Sequence, residues 1–588
     1  MDLSAALHRH FGFRAFRPGQ EEAVRAALAG RDALVVMPTG SGKSLCYQLP
    51  ALMRDDLTVV VSPLVALMQD QVEALHARGA AERVALVNAQ QSPEANREAI
   101  ERAAAGSLRL LYVAPERFGA PGFLDRMAQA PIGLFVVDEA HCVSQWGHDF
   151  RPDYFRLEAV ARRLGAGSVM ASTATATARV AADIARRLAL RDPVRITTGF
   201  DRPNIAFTVA RPTGGEKSLM LFETLRGEDA LPAIVYAGTR AGCEDLAGVI
   251  GGELGVRAEP YHAGLDRERR AAVQRRFLAD ETPVIVATNA FGMGVDKPNV
   301  RTVVHAATPP SLEAYYQEAG RAGRDGLPAQ AVLLAEPRDK ALHVHFIRQE
   351  QLDDRQARDV AARLEWSADG DGAYSEDTAE LSMAAGCDGE RLRAIIGHLT
   401  RAGVVEPAPA PSGRVAGRLV GPYDRGAAVR CRASMEDGIR VRWRQYREIW
   451  AYVEADACRR TAILRHFGDH STPSSERCCD VCAPVMRPVA PPPPPEVFAD
   501  LDEAIIAVAR AARPSVGRTT CAAILHGARS KKIQENSYDG LAAYAMASHM
   551  RRADILARVD DLIEAGRLAT TPGKFPKLRV VTRTAAAA

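Results

Sequence analysis

Short apolar runs recur through the first third of the chain, separated by longer mixed segments. Ala33–Met37, Thr58–Ser62, Arg109–Val113, Leu134–Val137 and Ser168–Ser172 are rich in Val, Leu and Ile and do not alternate strictly with polar residues. Such short, unalternating runs fit strands buried on both faces. The helical segments between them fit crossovers, so the pattern predicts a parallel sheet covered on both sides. The rhythm restarts after Asn204 with Ala233–Tyr236, Arg257–Tyr261, Pro283–Ala287, Thr302–His305 and Ala329–Leu334. That restart predicts a second α/β lobe, with the boundary near residues 200–210.

From about residue 346 the rhythm stops. Residues 350–430 are charged, then rich in Gly, Ala and Pro, and Gly389–Val405 predicts a small helix pair. Residues 440–482 predict a helical hairpin ending in cysteines. Pro491–Pro495 predicts a stiff, exposed spacer. Residues 496–583 predict one more small domain, with helices at Thr519–Leu525 and Arg551–Glu564, and the four terminal alanines a disordered tail.

Composition narrows the picture less. A chain of 588 residues can bury several cores. Its 47% hydrophobic and 25% charged content is that of a globular protein. The net charge is only +3, so any case for nucleic acid must rest on local features. Met1-Asp2-Leu3-Ser4 does not open a signal peptide, and no apolar run reaches the length of a membrane span, so no membrane partner is expected. Most of the 10 cysteines are solitary, such as Cys46, Cys142, Cys243 and Cys521, which suggests a reducing, cytoplasmic compartment.

Candidate chemistry begins at Met37–Ser44, between a strand and a helical segment. Gly40-Ser41-Gly42-Lys43-Ser44, preceded by Thr39, is the end of a phosphate-binding loop, with Met37 where the usual spacing has its first glycine. Glycines let backbone N–H groups turn toward phosphate oxygens, and the following helix adds its dipole. Lys43 is suited to the β- and γ-phosphates of ATP and Ser44 to Mg²⁺. Asp138 follows the strand Leu134–Val137, where a Mg²⁺-binding carboxylate belongs, and Glu139 is the candidate to orient the attacking water. The loop after it carries Trp146, His148, Phe150, Arg151 and Tyr154 with no period of 2 or 3.6, a set suited to sensing a nucleic-acid strand.

With these motifs in place, the chain resembles the RecQ family of superfamily 2 DNA helicases over most of its length. The resemblance implies that Phe13, Arg17 and Gln20 form the adenine-reading motif, Phe13 stacking and the other two recognising the base. It implies that Ser62-Pro63-Leu64 with Met68-Gln69-Asp70-Gln71 touches the DNA backbone. Ser172-Thr173-Ala174-Thr175-Ala176 would couple hydrolysis to lobe movement. In the second part, Tyr261–Leu265, Ala287–Pro298 and Gln317–Asp325 resemble further family motifs. Arg321 and Arg324, three residues apart and read as one helical turn, are the candidates to stabilise charge on the γ-phosphate, Arg324 as the finger. The resemblance places Trp146 and Phe150 against DNA bases.

Cys478-Cys479-Asp480-Val481-Cys482 is a dense cluster without a fourth ligand nearby, and free or redox thiols are the alternative to a metal site. The family resemblance supplies Cys458, with Glu476 where bacterial relatives place a cysteine and an adjacent pair like that of Werner-type members. Cys458, Cys478, Cys479 and Cys482 are therefore expected to hold a structural Zn²⁺, with His466 or His470 as the fallback. Residues after 500 resemble the RQC winged helix. Gly566–Leu568 and Leu578–Val581 would be the wing strands and Thr570–Lys577 its tip. Arg529–Lys532, Arg551, Arg552, Lys574 and Lys577 would supply phosphate-seeking charge. Phe575 is either a strand-separating wedge or folded back on its own domain. An HRDC module is not expected.

The sequence thus predicts an α/β protein with two RecA-like parallel-sheet lobes, a helical zinc-binding subdomain and a winged helix. The expected divisions are 1–205, 206–345, an insertion of unknown role at 346–430, 431–487, a Pro-rich linker at 488–495, and 496–584. The expected function is ATP-dependent, 3′→5′ unwinding of duplex DNA coupled to translocation on single-stranded DNA, in repair or recombination. An RNA helicase and an ATP-switched DNA-binding scaffold are the alternatives. Expected partners are single-stranded and duplex DNA and other DNA-repair proteins, with the protein monomeric and nucleoid-associated.

Overall fold

The computed structural model describes residues 2–581 except 121, 145–153, 155, 214–215, 292–296, 409, 411–412, 474–477, 483–499, 529 and 573–575. The proline run, the terminal alanines, Trp146, His148, Phe150, Arg151, Lys574 and Phe575 lie outside the described residues. The chain divides into two compact units, Met1–Thr208 with Asp229–Leu333 and Arg338–Ala483, and Val209–Glu228 with Leu334–Pro337 and Pro484–Ala588.

The first lobe is a seven-stranded sheet. Its strands are β1 (Ala33–Val36), β2 (Leu57–Val61), β3 (Val84–Val87), β4 (Leu110–Val113), β5 (Ile132–Val137), β6 (Ser168–Thr173) and β7 (Val194–Thr197), in the order 3-4-2-5-6-1-7. Every pair is parallel. β1, β2, β4 and β5 are buried throughout, which is why they read as unbroken apolar runs. β3 and β7 are the edges. β7 was not legible because Arg195 and Thr197 are exposed and interrupt the run. The N-terminal helices Leu3–Phe11 and Gln20–Leu28 add Leu7, Phe11, Ala23 and Val24 to the core beneath β1.

The second sheet contains β8 (Ile205–Ala210), β9 (Ala233–Tyr236), β10 (Ala258–Tyr261), β11 (Val284–Ala287), β12 (Thr302–His305) and β13 (Ala329–Leu334), in the order 10-11-9-12-13-8. β8 occupies part of the interval read as a boundary, so the linker between the two sheets is the short stretch 198–204 after β7.

The insertion has its own core. Helix Asp354–Ser367, β14 (Ala373–Asp377), helices Thr378–Ala384 and Gly389–Arg401, β15 (Val405–Ala408) and β16 (Arg414–Leu419) follow one another, and the strands pair antiparallel in the order 14-16-15. Helix-strand-helix-helix-strand-strand with that pairing is a winged-helix topology. Val360, Leu364, Tyr374, Leu381, Leu392, Ile395 and Leu399 fill its centre. Gly417 is required there, because a Cβ would collide with the Tyr374 hydroxyl and the Glu406 carbonyl. The helix pair expected at Gly389–Val405 is a single helix. Asp388 caps its start, accepting from the amides of Glu390 and Arg391, and Gly403 at φ 73° turns the chain toward β15.

Helix Arg425–Glu454 runs through the division expected at residue 430. Ala427, Cys431 and Met435 belong to the insertion's core, whereas the far end forms the hairpin with helix Arg459–His466. In the second unit, helices Leu501–Ala511, Arg518–Leu525, Lys531–Glu535 and Arg552–Glu564 pack with β17 (Leu568–Thr570) and β18 (Leu578–Val580). Asp502 ties it together, accepting from Arg558 at 2.7 and 2.9 Å and from Arg567 at 3.0 Å.

Candidate active site

The phosphate loop leaves the carboxyl end of β1 and runs into helix Leu45–Met53. Gly40 and Gly42 have φ of 83° and 81°, a region open to glycine at no steric cost. A Cβ on Gly42 would lie 2.6 Å from Gln20 Nε2. Gln20, which is buried, donates to the carbonyls of Ser41 and Gly42 at 3.0 and 3.1 Å, and its Oε1 accepts from the Arg17 amide at 2.8 Å. Arg17 Nη1 donates to the Gly40 carbonyl at 2.6 Å. Both side chains therefore brace the loop. Phe13 is 49% exposed and stacks on Phe11.

Lys43 donates to the Met37 carbonyl at 3.1 Å and lines a cavity of about 390 Å³. Thr39, Gly40, Ser44, Asp138 and Glu139 share that cavity, and so do Arg321 and Arg324 from the second lobe. Ser62, Leu64, Met68 and Gln71, from the segment read as touching DNA, line it too. A Cβ on Gly40 would lie 3.5 Å from Arg324 Cγ, so this arginine sits against the phosphate loop. Helix Leu312–Ala319 ends before either arginine. Both are carried on the turns after it, where Gly323 at φ 55° bends the chain, and not on one helical face.

Burial, then repulsion from Glu139, pushes the Asp138 carboxyl up to about 7, with Lys43 opposing. Burial likewise draws the Lys43 ammonium below its usual range, against the pull of Glu139 and Asp138. A divalent cation would relieve the carboxylates, since it offers Asp138 and Glu139 a counter-charge. Glu139 has φ 47°, an uncommon conformation for a side-chain-bearing residue that costs of order 1–3 kcal/mol. It faces His141 Nδ1 at 3.3 Å, and that nitrogen lies 3.0 Å from Thr173 Oγ1. A short chain thus joins the acidic box to the segment read as coupling hydrolysis to movement.

Two described residues that flank the aromatic segment are held by side-chain hydrogen bonds. Ser144 Oγ donates to Asp183 at 2.8 Å, and the buried Tyr154 hydroxyl donates to the Asp138 carbonyl at 3.1 Å.

The four cysteine sulfurs of Cys458, Cys478, Cys479 and Cys482 lie within 4.8 Å of one another. Cys458 Sγ is 3.4 Å from Cys478 Sγ and 4.0 Å from Cys479 Sγ. Zn–S bonds of about 2.3 Å in a tetrahedron place sulfurs about 3.8 Å apart, so the set fits Zn²⁺. Burial alone would raise the Cys458 thiol, but hydrogen bonding with Thr461, Cys478 and Cys482 brings it down to about 6. His466 is engaged elsewhere, its Nε2 2.9 Å from Glu313, and drops out as a fallback ligand.

Four family models match the chain: DEAD/DEAH box helicase at residues 17–184, helicase conserved C-terminal domain at 216–326, RecQ zinc-binding at 427–483 and RQC domain at 496–587. The probable ATP-dependent DNA helicase RecS of Bacillus subtilis is 36% identical over 486 residues, 82% of this chain and 92% of that protein. The ATP-dependent DNA helicase RecQ of Pasteurella multocida is 33% identical over 560 residues, 95% of this chain and 73% of its own. RecQ of B. subtilis is 31% identical over 579 residues, 98% and 82% of the two chains. The chain belongs to the RecQ family.

As a RecQ-type helicase it is an ATP-dependent DNA helicase with ATPase activity, and ATP, Mg²⁺ and a structural Zn²⁺ fit its domains. The two RecA-like lobes, zinc subdomain and winged helix of the sequence reading are all present. No helix among the described residues is long and apolar enough to cross a membrane.

Sequence reasoning missed Arg202. From the linker, this RecQ-family chain extends Nη1 to the carbonyls of Thr39 at 3.3 Å and Gly320 at 2.9 Å, and Nη2 to those of Ala322 and Gly323 at 2.9 and 3.3 Å. Asn204 adds Nδ2 to Gly323 at 2.7 Å. One guanidinium thus holds the phosphate loop to the arginine-bearing turn. Its only sequence signal is an arginine in a short polar stretch between two strand-rich regions. In the second unit, Lys577 closes the wing hairpin through Thr571, its amide donating to the hydroxyl at 2.9 Å.

Proposed function

We propose that the protein is a 3′→5′ DNA helicase of repair or recombination that steps along single-stranded DNA as ATP closes and hydrolysis reopens its two lobes. The observation that carries this is one cavity lined by Lys43, Asp138 and Glu139 from one lobe and Arg321 and Arg324 from the other. Lys43 would hold the β- and γ-phosphates, and Ser44 and Asp138 would hold Mg²⁺, which when bound neutralises phosphate charge. Glu139 would orient the attacking water, with Arg324 stabilising charge on the transferred phosphoryl group and Arg321 beside it. Phe13, Arg17 and Gln20 would meet the base. Because Arg17 and Gln20 also brace the loop, base occupancy would be communicated to the phosphate site.

Trp146, His148, Phe150 and Arg151 would contact the DNA strand, each stacked base contributing about 1–3 kcal/mol. Tyr154, on the Asp138 carbonyl, gives that loop a direct route to the Mg²⁺ ligand. Cys458, Cys478, Cys479 and Cys482 would hold the Zn²⁺, and Lys574, Phe575 and Lys577 would meet duplex DNA at the wing. We take residues 1–205 and 206–345 as the two motor lobes and 496–584 as the winged helix, and the protein as a cytoplasmic, nucleoid-associated monomer working with other repair proteins.

Unwinding of 3′-tailed and 5′-tailed duplexes tests the reading. The 3′-tailed substrate should be opened preferentially, and preference for the 5′ tail would overturn the polarity.

A further inference from the structure

A second cavity lies apart from the nucleotide site. About 820 Å³ lies between the first lobe and the inserted winged helix. One wall is the carboxyl edge of β3 and β4, with Arg97, Arg117 and Arg126. The other is helix Gly389–Arg401 and β16, with Arg393 and Arg414. Glu116 is the one acid among the described lining residues, against five arginines. None of the five forms an ion pair among the described residues. Arg97, Arg126, Arg393 and Arg414 are exposed, and Nε of the half-buried Arg117 has no hydrogen-bond partner among the described residues. The walls are tied together, since Arg156 donates to the Pro407 carbonyl of β15 at 2.8 Å and to the Glu116 carbonyl at 3.3 Å.

We propose that this groove holds the phosphodiester backbone of DNA, making the insertion a second DNA-binding winged helix that acts with the first lobe. The proposal rests on the DNA-helicase reading and adds a contact surface to it. Unneutralised guanidinia of one sign, spread over two elements and open to solvent, suit a polyanion that spans both walls. The insertion's third helix is not free to read bases. Leu392, Ile395, Ile396 and Leu399 are in its core, and His398 Nδ1 lies 2.9 Å from Ser434 Oγ on helix Arg425–Glu454. What remains for the groove is chiefly Arg393, so the contact grips backbone without selecting sequence.

The test is the affinity of the full-length protein for a fluorescent forked duplex, measured across a salt series. The wild type is compared with Arg126→Ala/Arg393→Ala and Arg126→Lys/Arg393→Lys. The alanine pair should bind about tenfold more weakly, and its log affinity against log salt should be shallower by about 2. The lysine pair should keep the wild-type slope. Unchanged affinity and slope in the alanine pair, or a loss that the lysine pair shares in full, would overturn the proposal. So would a loss confined to an RNA fork. Stimulation of wild-type ATPase by single-stranded DNA, measured alongside, reports separately on the helicase reading.

Discussion

The two cavities lie along the same carboxyl edge of the first sheet, yet they are built for different work. The nucleotide cavity sits over β1, β2 and β5 and crowds opposite charges into about 390 Å³, Lys43 and three arginines (Arg17, Arg321 and Arg324) against Asp138 and Glu139. Burial there moves Asp138 and Lys43 away from their ordinary titration ranges. The groove over β3 and β4 is about 820 Å³ and carries arginines with a single acid. Chemistry needs opposed groups held close in a dry place, whereas holding a strand needs one sign of charge spread over an open surface.

The sharpest break between them is expected from Lys43→Ala and Arg324→Ala. Each should lower ATP hydrolysis by about 10³-fold or more while leaving the groove and its DNA contacts in place. Near-wild-type turnover in Arg324→Ala would remove Arg324 from the chemistry. Arg202→Ala should cost less, about 10- to 100-fold in turnover with ATP binding largely kept, because it loosens the alignment of the lobes without removing a reacting group. A pure loss of ATP affinity would recast Arg202 as a binding residue.

Cys458→Ala should release zinc and destabilise the protein by more than about 2 kcal/mol. Helix Arg425–Glu454 links the zinc hairpin to the insertion's core, so DNA affinity should suffer more than ATP affinity. Zinc retained in metal analysis would defeat the ligand assignment.

The smallest effect is a pH dependence confined to the insertion. Burial, aided by Arg401, whose guanidinium donates to Nδ1 at 2.9 Å, pushes His398 down to about 3 and keeps the ring neutral. The unfolded chain takes up a proton below about 6.5. Stability should therefore fall as pH drops from about 6.5 toward 3, by at most about 1.4 kcal/mol per pH unit. Amide exchange in helix Gly389–Arg401 should accelerate over that window, and His398→Gln should flatten the response. An equally steep response in the variant would assign it to other groups.

Legibility in the sequence followed the same divide. Buried parallel strands such as β9 and β12 announce themselves as apolar runs, and the phosphate loop, acidic box and arginine turn each place several reactive types in a few consecutive residues. The groove has no such local signature. Arg117 and Arg393 are ordinary arginines until the insertion folds, and that fold is written in scattered core positions such as Leu364, Tyr374 and Leu392. Arg202 escaped for a related reason, since its partners are backbone carbonyls that leave no trace in side-chain chemistry. Cys458 lies 20 residues before Cys478, and the cluster alone did not reveal it; family resemblance did.

The central claim is that one cavity, closed by groups from both lobes, hydrolyses ATP in response to DNA. Steady-state ATP hydrolysis with no nucleic acid, with single-stranded DNA and with single-stranded RNA tests it most directly. The account predicts a rate raised several-fold by DNA, little changed by RNA, and abolished under every condition by Lys43→Ala. A rate indifferent to DNA would contradict it.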